Sequence, residues 1–224
     1  MLPAELPDGT GAVLKVNPPG EVECEHEPDA LQHYDGRGAV RLLDRENRML
    51  LLERCRPGTW LWELPEDEAN AVAAGVLRQL WRPPAAGHPF RQLEDEAARW
   101  VSQLERAPAE PVVTAAIGFL RELGPTQGEQ VVLHQDLQGS NVLASERGWL
   151  AVDPKPLVGE REFDLASMIR DRRFAFDRRL PKRRVDFYSA ELGLDRERVW
   201  GWAVAHAVAW NGSDAMLASA RALL

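Results

Sequence analysis

Three oxygen-bearing side chains, Asp136, Asn141 and Asp153, have the types and spacing to meet around a metal ion. Asp136 and Asn141 lie in the polar stretch 134–141, which has an apolar run on each side. Another apolar run, 149–152, ends on Asp153. This pattern predicts strand, loop, strand, turn, strand, with the three side chains at one end of the strands. Carboxylate and amide oxygens suit Mg²⁺, which usually serves a phosphate-bearing substrate.

The spacing of these residues is similar to that of a kinase catalytic loop. Asp136 and Asn141 are five positions apart within His-x-Asp-x-x-x-x-Asn, and Asp153 follows twelve residues later. The continuation over 150–164, Leu-Ala-Val-Asp-Pro-Lys-Pro-Leu-Val-Gly-Glu-x-x-Phe-Asp, resembles the aminoglycoside phosphotransferase branch of the kinase-like fold. Within that branch it is similar to the streptomycin 6-kinase and hydroxyurea phosphotransferase group. The resemblance extends more loosely over almost the whole chain.

The resemblance implies an α+β, protein-kinase-like fold with a small β-rich N-terminal lobe and a larger helical C-terminal lobe. The Pro-Gly pair at 57–58 marks the change from strands to helices. We predict a nucleotide-binding lobe over 1–54 and a catalytic and substrate-binding lobe over 55–224. Lys15 lies so near the N-terminus that the first strand and the Gly-rich phosphate loop are expected to be missing, which would make the small lobe truncated.

The resemblance also implies roles for individual residues. Asp136 is expected to accept or orient the proton of the substrate hydroxyl, and Asn141 and Asp153 are expected to hold Mg²⁺. Lys15 is expected to pair with the phosphates of ATP, and an ion pair with Glu27 is expected to hold it there.

Further expectations concern the surroundings of the site. Glu23 is the alternative partner of the lysine. The resemblance implies that the backbone from Glu53 to Cys55 hydrogen-bonds adenine. His134 is expected to hold the catalytic loop by hydrogen bonds, and the resemblance implies that Asp164 braces this loop.

Two positions of the loop depart from the family pattern. Gln135 stands where relatives often have Gly, and Gln138 stands where they often have His. These departures are expected to alter loop packing or substrate contact without removing the three key side chains.

Hydrophobic periodicity predicts the elements that position these residues. The predicted helices are 21–34, 66–81, 93–104, 113–120, 162–170 and 199–210, and the predicted strands are 2–6, 12–16, 39–43, 49–53, 131–133, 142–144 and 149–152. Residues 44–48 and 158–160 are predicted as loops. The basic stretch 171–184 is predicted as a solvated face on the substrate side.

Composition limits the classes of partner. The 224 residues carry a formal net charge of −8, which argues against a nucleic-acid binder with its basic face. Two cysteines, Cys24 and Cys55, form neither a disulfide framework nor a zinc pattern. The N-terminus has no signal-peptide pattern, and no apolar run approaches the roughly 18 residues of a membrane span. We expect a cytoplasmic protein, and the sequence leaves its oligomeric state open.

The expected function is ATP-dependent transfer of the γ-phosphate to a hydroxyl of a small molecule, an aminoglycoside such as streptomycin, which inactivates the antibiotic. Kinases of the same fold that act on hydroxyurea, choline, homoserine or sugars remain alternatives. Another class of alternative is an inactive or weakly active, pseudokinase-like nucleotide-binding module, because the Gly-rich loop is expected to be missing.

Overall fold

A computed structural model describes residues 1–171, 179–210 and 214–224, and its N-terminal part is built on one antiparallel sheet. The strands, in the spatial order β1-β2-β4-β3, are β1 (Leu2–Glu5), β2 (Gly11–Val16), β3 (Leu42–Glu46) and β4 (Met49–Glu53). Lys15 pairs with Leu50 of β4, so the lysine lies on an inner strand of the sheet. The helix α1 (Glu27–Tyr34) buries Leu31 and Tyr34 in the same core as Leu50.

The helix predicted from Glu21 begins later than predicted. Val22–Cys24 forms a 3₁₀ turn, and α1 begins at Glu27. Pro28 then stands in the first turn of α1, where its missing N–H needs no partner. The proline therefore marks the start of the helix instead of interrupting its interior.

The strand predicted over 39–43 is also displaced. Residues 44–46, predicted as loop, pair with β4 as part of β3. The chain reverses at Asn47, whose φ of 54° is a conformation that asparagine tolerates well. The charged residues before the turn therefore lie on an exposed strand.

The C-terminal part is mainly helical, and its helices enclose an apolar core. They are α2 (Glu66–Leu80), α3 (Leu93–Leu104), α4 (Pro111–Leu123), α5 (Ala166–Ile169), α6 (Leu180–Leu192), α7 (Arg196–Ala209) and α8 (Asp214–Leu223). Trp100 stacks on Phe163, and Phe163 lies edge-on to Trp202. All three rings are buried, so they mark the centre of this core. The predicted helices 66–81 and 93–104 are confirmed to within one residue.

Two small sheets carry the motif residues. The first has the order β5-β9-β6, and the second is a hairpin of β7 and β8. Their bounds are β5 (Arg91–Gln92), β6 (Gln130–Leu133), β7 (Val142–Ser145), β8 (Gly148–Ala151) and β9 (Leu157–Glu160). The loop predicted at 158–160 is wrong, because these residues belong to β9. A Cβ on Gly159 would lie 2.6 Å from the Leu93 Cβ, so this glycine permits close packing on α3 and does not mark a turn.

The solvated face predicted over 171–184 is wrong at Arg184. This side chain is buried, and its Nε lies 2.7 Å from Glu66 Oε1. Its Nη1 donates to the Met168 carbonyl at 2.9 Å. Residues 172–178 of the stretch lie outside the described residues.

The β-rich part and the helical part meet at an isolated bridge between Ala39 and Ala151. A second isolated bridge, between Trp60 and Leu143, lies after the predicted boundary. The boundary between 1–54 and 55–224 stays a prediction. Within the described ranges, no helix combines the length and the apolar character needed to cross a membrane.

Candidate active site

The loop between β6 and β7 holds Asp136 and Asn141 in direct contact. Asn141 Nδ2 donates to the Asp136 carbonyl at 2.8 Å and to its carboxylate Oδ2 at 3.1 Å. Arg170 Nη2 lies 3.6 Å from the other carboxylate oxygen, Oδ1. Burial raises the pKa of Asp136 above its ordinary value of 3.8, and the Arg170 charge lowers it only in part. The carboxylate therefore has a polar neighbour at each oxygen.

A second cluster forms just after β8. Lys15 Nζ contacts both Glu27 oxygens at 2.7 Å and Asp153 Oδ1 at 2.6 Å. Lys155 Nζ donates to the same Asp153 oxygen at 2.9 Å, and Asn17 Nδ2 donates to Glu27 Oε2 at 2.7 Å. Burial opposes ionisation of Asp153, but the two lysines outweigh it and hold its pKa below the usual range. Of the two glutamates considered as partners of Lys15, Glu27 is the one that contacts it.

Both clusters border one cavity of about 270 Å³. Its polar wall includes Lys15, Asn141 and Asp153. The rest of its lining is mostly apolar and comes from both parts of the chain: Met1, Val13, Val40, Leu52, Trp60, Leu143 and Val152. The charge of Asp153 also raises the pKa of Asp136.

Glu53 and Cys55 also line this cavity. The Glu53 carboxylate accepts two hydrogen bonds from Arg147, at 2.7 Å and 2.6 Å. Burial opposes ionisation of Glu53, but Arg147 outweighs it and lowers the pKa of this carboxyl. The Glu53 N–H donates to the Arg41 carbonyl at 2.9 Å. Burial raises the pKa of Cys55 to about 11, so its thiol stays protonated near neutral pH.

Asp164 anchors the start of the loop between β6 and β7. Its buried carboxylate accepts hydrogen bonds from Trp81 Nε1 at 2.9 Å, the His134 N–H at 3.1 Å and the Gln135 N–H at 2.7 Å. Ser167 Oγ donates to the Gln135 carbonyl at 2.6 Å. The backbone that leads into Asp136 is therefore fixed on both its donor and its acceptor side.

His134 makes stability depend on pH. Its ring is buried with Nε2 3.0 Å from the Val152 carbonyl, and burial lowers its pKa from 6.5 to about 4. The unfolded chain binds a proton below pH 6.5 while the folded imidazole stays neutral, so stability falls as the pH decreases from 6.5 towards 4. Between pH 7 and pH 5 we expect this to cost on the order of 2 kcal/mol.

The matched variant is His134→Gln, which keeps a donor but does not titrate. Between pH 7 and pH 5, the unfolding free energy of the wild type is expected to fall by about 2 kcal/mol more than that of the variant. Urea denaturation at both pH values measures the difference. Equal pH dependence of the two proteins would contradict the assignment of the effect to His134.

Gln135 occupies a backbone conformation that glycine adopts without strain. Its φ is 66°, its side chain is buried, and its amide Nε2 and Oε1 have no hydrogen-bond partner among the described residues. A left-handed backbone costs roughly 1 kcal/mol for a residue with a Cβ, and an unpaired buried polar group costs about 1–3 kcal/mol. We expect Gln135→Gly to raise the free energy of unfolding by about 1 kcal/mol, after the loss of packing offsets part of the gain.

Gln135→Ala is the control, because it removes the amide and keeps the Cβ at positive φ. Urea denaturation of the wild type and both variants separates the two causes. The difference between the Gly and Ala variants isolates the backbone strain, again about 1 kcal/mol. This explanation would be overturned if the Gly variant were not more stable than the wild type, or not more stable than the Ala variant.

Two charged residues of the site are not singled out by sequence reasoning. Lys155 stands two positions after Asp153 inside the recognised motif, so its place in the motif is the signal that could have found it. Arg170 has no comparable signal, because only the folded chain shows its approach to Asp136.

The sequence matches the model of a protein family over residues 1–215, and the description of that family is aminoglycoside/hydroxyurea antibiotic resistance kinase. The chain belongs to this family. It is 37% identical over 217 residues to streptomycin 6-kinase of Streptomyces glaucescens, a match that covers 90% of this chain and 70% of the relative. It is 36% identical over 234 residues to hydroxyurea phosphotransferase of Kitasatospora aureofaciens, covering 97% of this chain and 67% of the relative.

The fold of this family member is shared with a solved aminoglycoside phosphotransferase, APH(3'')-Id from Streptomyces rimosus, determined with ADP and streptomycin. The TM-score is 0.64 at 19% identity, and the match covers 92% of this chain and 90% of the other. The predicted family and the α+β, protein-kinase-like fold are confirmed. Membership of a kinase family also favours the phosphotransferase interpretation over the pseudokinase-like one.

Proposed function

We propose that the protein transfers the γ-phosphate of ATP to a hydroxyl group of a small molecule, an aminoglycoside such as streptomycin, and so inactivates the antibiotic. The observation that carries the proposal is the meeting of two clusters at one cavity. One cluster is Asp136 with Asn141, and the other is Lys15 with Glu27 and Asp153. The name of one relative, streptomycin 6-kinase, supports an aminoglycoside acceptor, and the name of the other, hydroxyurea phosphotransferase, makes hydroxyurea the alternative acceptor.

The proposed transfer needs positioning and charge more than covalent chemistry. Asp136 accepts the proton of the acceptor hydroxyl, and Asn141 keeps its carboxylate in place through the contact at 3.1 Å. Lys15 faces the α- and β-phosphates. Glu27, itself held by Asn17, keeps the lysine extended toward the cavity.

The residues fit a magnesium ion held by Asn141 and Asp153. Asn141 commits its Nδ2 to Asp136, while its Oδ1 receives only a long contact of 3.5 Å from Ser140 Oγ. Both lysines bond to Oδ1 of Asp153, and no donor in the described chain bonds to its Oδ2. Held by these two oxygens, magnesium would neutralise part of the charge of the phosphates.

Another group of potential ligands, Cys24, Glu27 and Asp153, fits a cation less well. Its ligand atoms lie within 4.8 Å of one another. However, Lys15 bonds to both carboxylates, and Lys155 bonds to Asp153 and to the Cys24 sulfur at 3.1 Å. Two ammonium groups therefore already serve the positions that a metal ion would take.

The apolar part of the cavity supports adenine binding beside the Glu53–Cys55 segment. The N–H of Glu53 is already bonded to Arg41, whereas the N–H of Cys55 donates no hydrogen bond within the described residues. We assign the backbone donor for adenine to Cys55. The side chain of Glu53 contributes by tying the segment to Arg147. A cytoplasmic location and the absence of a nucleic-acid partner complete the proposal.

The test is acceptor-dependent ADP release with Mg²⁺ and ATP over a panel of streptomycin, other aminoglycosides, hydroxyurea and choline. Mass spectrometry of the acceptor identifies the phosphorylated product. We expect release only with an aminoglycoside, with one phosphate added to it. Binding of ATP without phosphorylation of any acceptor would favour the pseudokinase-like alternative, and turnover of hydroxyurea or choline alone would replace the substrate class.

A further inference from the structure

Lys155 is a second cation beside the proposed metal ligand, and it is largely but not fully buried. Its Nζ donates to Asp153 Oδ1 at 2.9 Å, the same oxygen that Lys15 contacts at 2.6 Å. Its other partner is the sulfur of Cys24 at 3.1 Å, and its side chain is only 14% exposed. Its backbone N–H donates to the His134 carbonyl at 2.9 Å, which ties it to the start of the catalytic loop.

The two lysines differ in how their charges are balanced. Lys15 has Glu27 as a dedicated carboxylate, bonded at both oxygens. Lys155 shares Asp153 with Lys15, and its second partner is a neutral thiol, because burial raises the pKa of Cys24. Lys155 therefore has no carboxylate of its own. A largely buried ammonium in that position calls for an anion.

The position of Lys155 indicates which anion. Its Nζ contacts the proposed metal ligand Asp153 at 2.9 Å, and its backbone N–H is bonded to the carbonyl of His134, two residues before Asp136. The group that passes between the catalytic carboxylate and the metal ligand in a phosphoryl transfer is the terminal phosphate. The α- and β-phosphates, in contrast, are assigned to Lys15.

We propose that Lys155 binds the γ-phosphate of ATP and stabilises it during transfer. The inference rests on the proposed function. In the step, the acceptor hydroxyl oxygen forms a bond to the γ-phosphorus while the bond from that phosphorus to the bridging oxygen breaks. The hydroxyl proton goes to Asp136, and ADP leaves. Lys155 keeps its proton throughout and acts as a fixed positive charge on the phosphoryl oxygens.

The experiment compares the affinity of the protein for a non-hydrolysable ATP analogue and for ADP, by calorimetry with Mg²⁺ and without an acceptor. Lys155→Met keeps the length of the side chain and removes its charge. We expect the Kd of the ATP analogue to rise by about 10- to 100-fold and that of ADP by less than about threefold. Lys155→Arg is expected to recover part of the loss.

Two matched variants separate this role from a structural one. Lys15→Met is expected to weaken both nucleotides by similar factors, because both contain the α- and β-phosphates. Cys24→Ala removes the other partner of Lys155 and is expected to leave the ratio of the two affinities unchanged. Equal losses for both nucleotides in Lys155→Met, or no loss, would overturn the assignment while the proposed function stands. A wild-type protein that binds neither nucleotide would overturn both.

Discussion

Replacing Asp136 with asparagine is expected to lower kcat by about 10²- to 10⁴-fold and to leave nucleotide affinity unchanged. Asparagine has the shape of the carboxylate, so an acceptor for the 3.1 Å contact from Asn141 remains. It cannot take the proton of the acceptor hydroxyl, and it removes the negative charge beside Arg170. The loss therefore falls on the chemical step.

Steady-state ADP release with the acceptor found in the panel gives kcat, and calorimetry with ADP gives the affinity. Gln138→Ala is the control on the same loop, because its Nε2 lies 3.4 Å from Asp136 Oδ2, at the limit of a hydrogen bond. We expect less than a tenfold fall in kcat for this control. An Asp136→Asn protein that retains a tenth of the wild-type kcat would remove Asp136 from the role of proton acceptor.

The geometry at Asp136 and Asn141 was accessible from the sequence because it is local. Both residues sit on one short loop whose ends are fixed by the apolar strands β6 and β7. A contact across five positions follows once those strands are recognised. The position of Asp153 could be predicted in the same way, because Asp153 comes two residues after Ala151, the last residue of the hairpin strand β8.

Contacts between distant parts of the chain were accessible only through the family resemblance or not at all. Lys15 and Asp153 are 138 positions apart, and no periodicity links them. The sequence predicts a loop at 158–160, within β9, because glycine serves both turns and close packing, and only the coordinates show Leu93 against Gly159. Likewise, the sequence shows that Gln135 departs from the family pattern, but not that its buried amide lacks a partner.

The largest effect on stability is expected at Asp164, even though this residue does not face the cavity. Asp164→Ala leaves the N–H groups of His134 and Gln135 and the Trp81 indole N–H without their acceptor in a buried environment. Each orphaned donor costs about 1–3 kcal/mol, so the variant is expected to lose at least about 3 kcal/mol of unfolding free energy. That is a large share of the 5–15 kcal/mol typical of a folded domain.

Urea denaturation measures this loss, and two milder variants keep the test decisive if the alanine protein does not fold. Trp81→Phe removes one donor and leaves the carboxylate with both backbone N–H groups, so it is expected to cost about 1 kcal/mol. Asp164→Asn keeps one acceptor oxygen and is expected to fall between the two. Because the same bonds fix the backbone before Asp136, kcat should fall in the same order as stability across the three variants. A stable Asp164→Asn protein with wild-type kcat would show that the loop keeps its shape without this anchor.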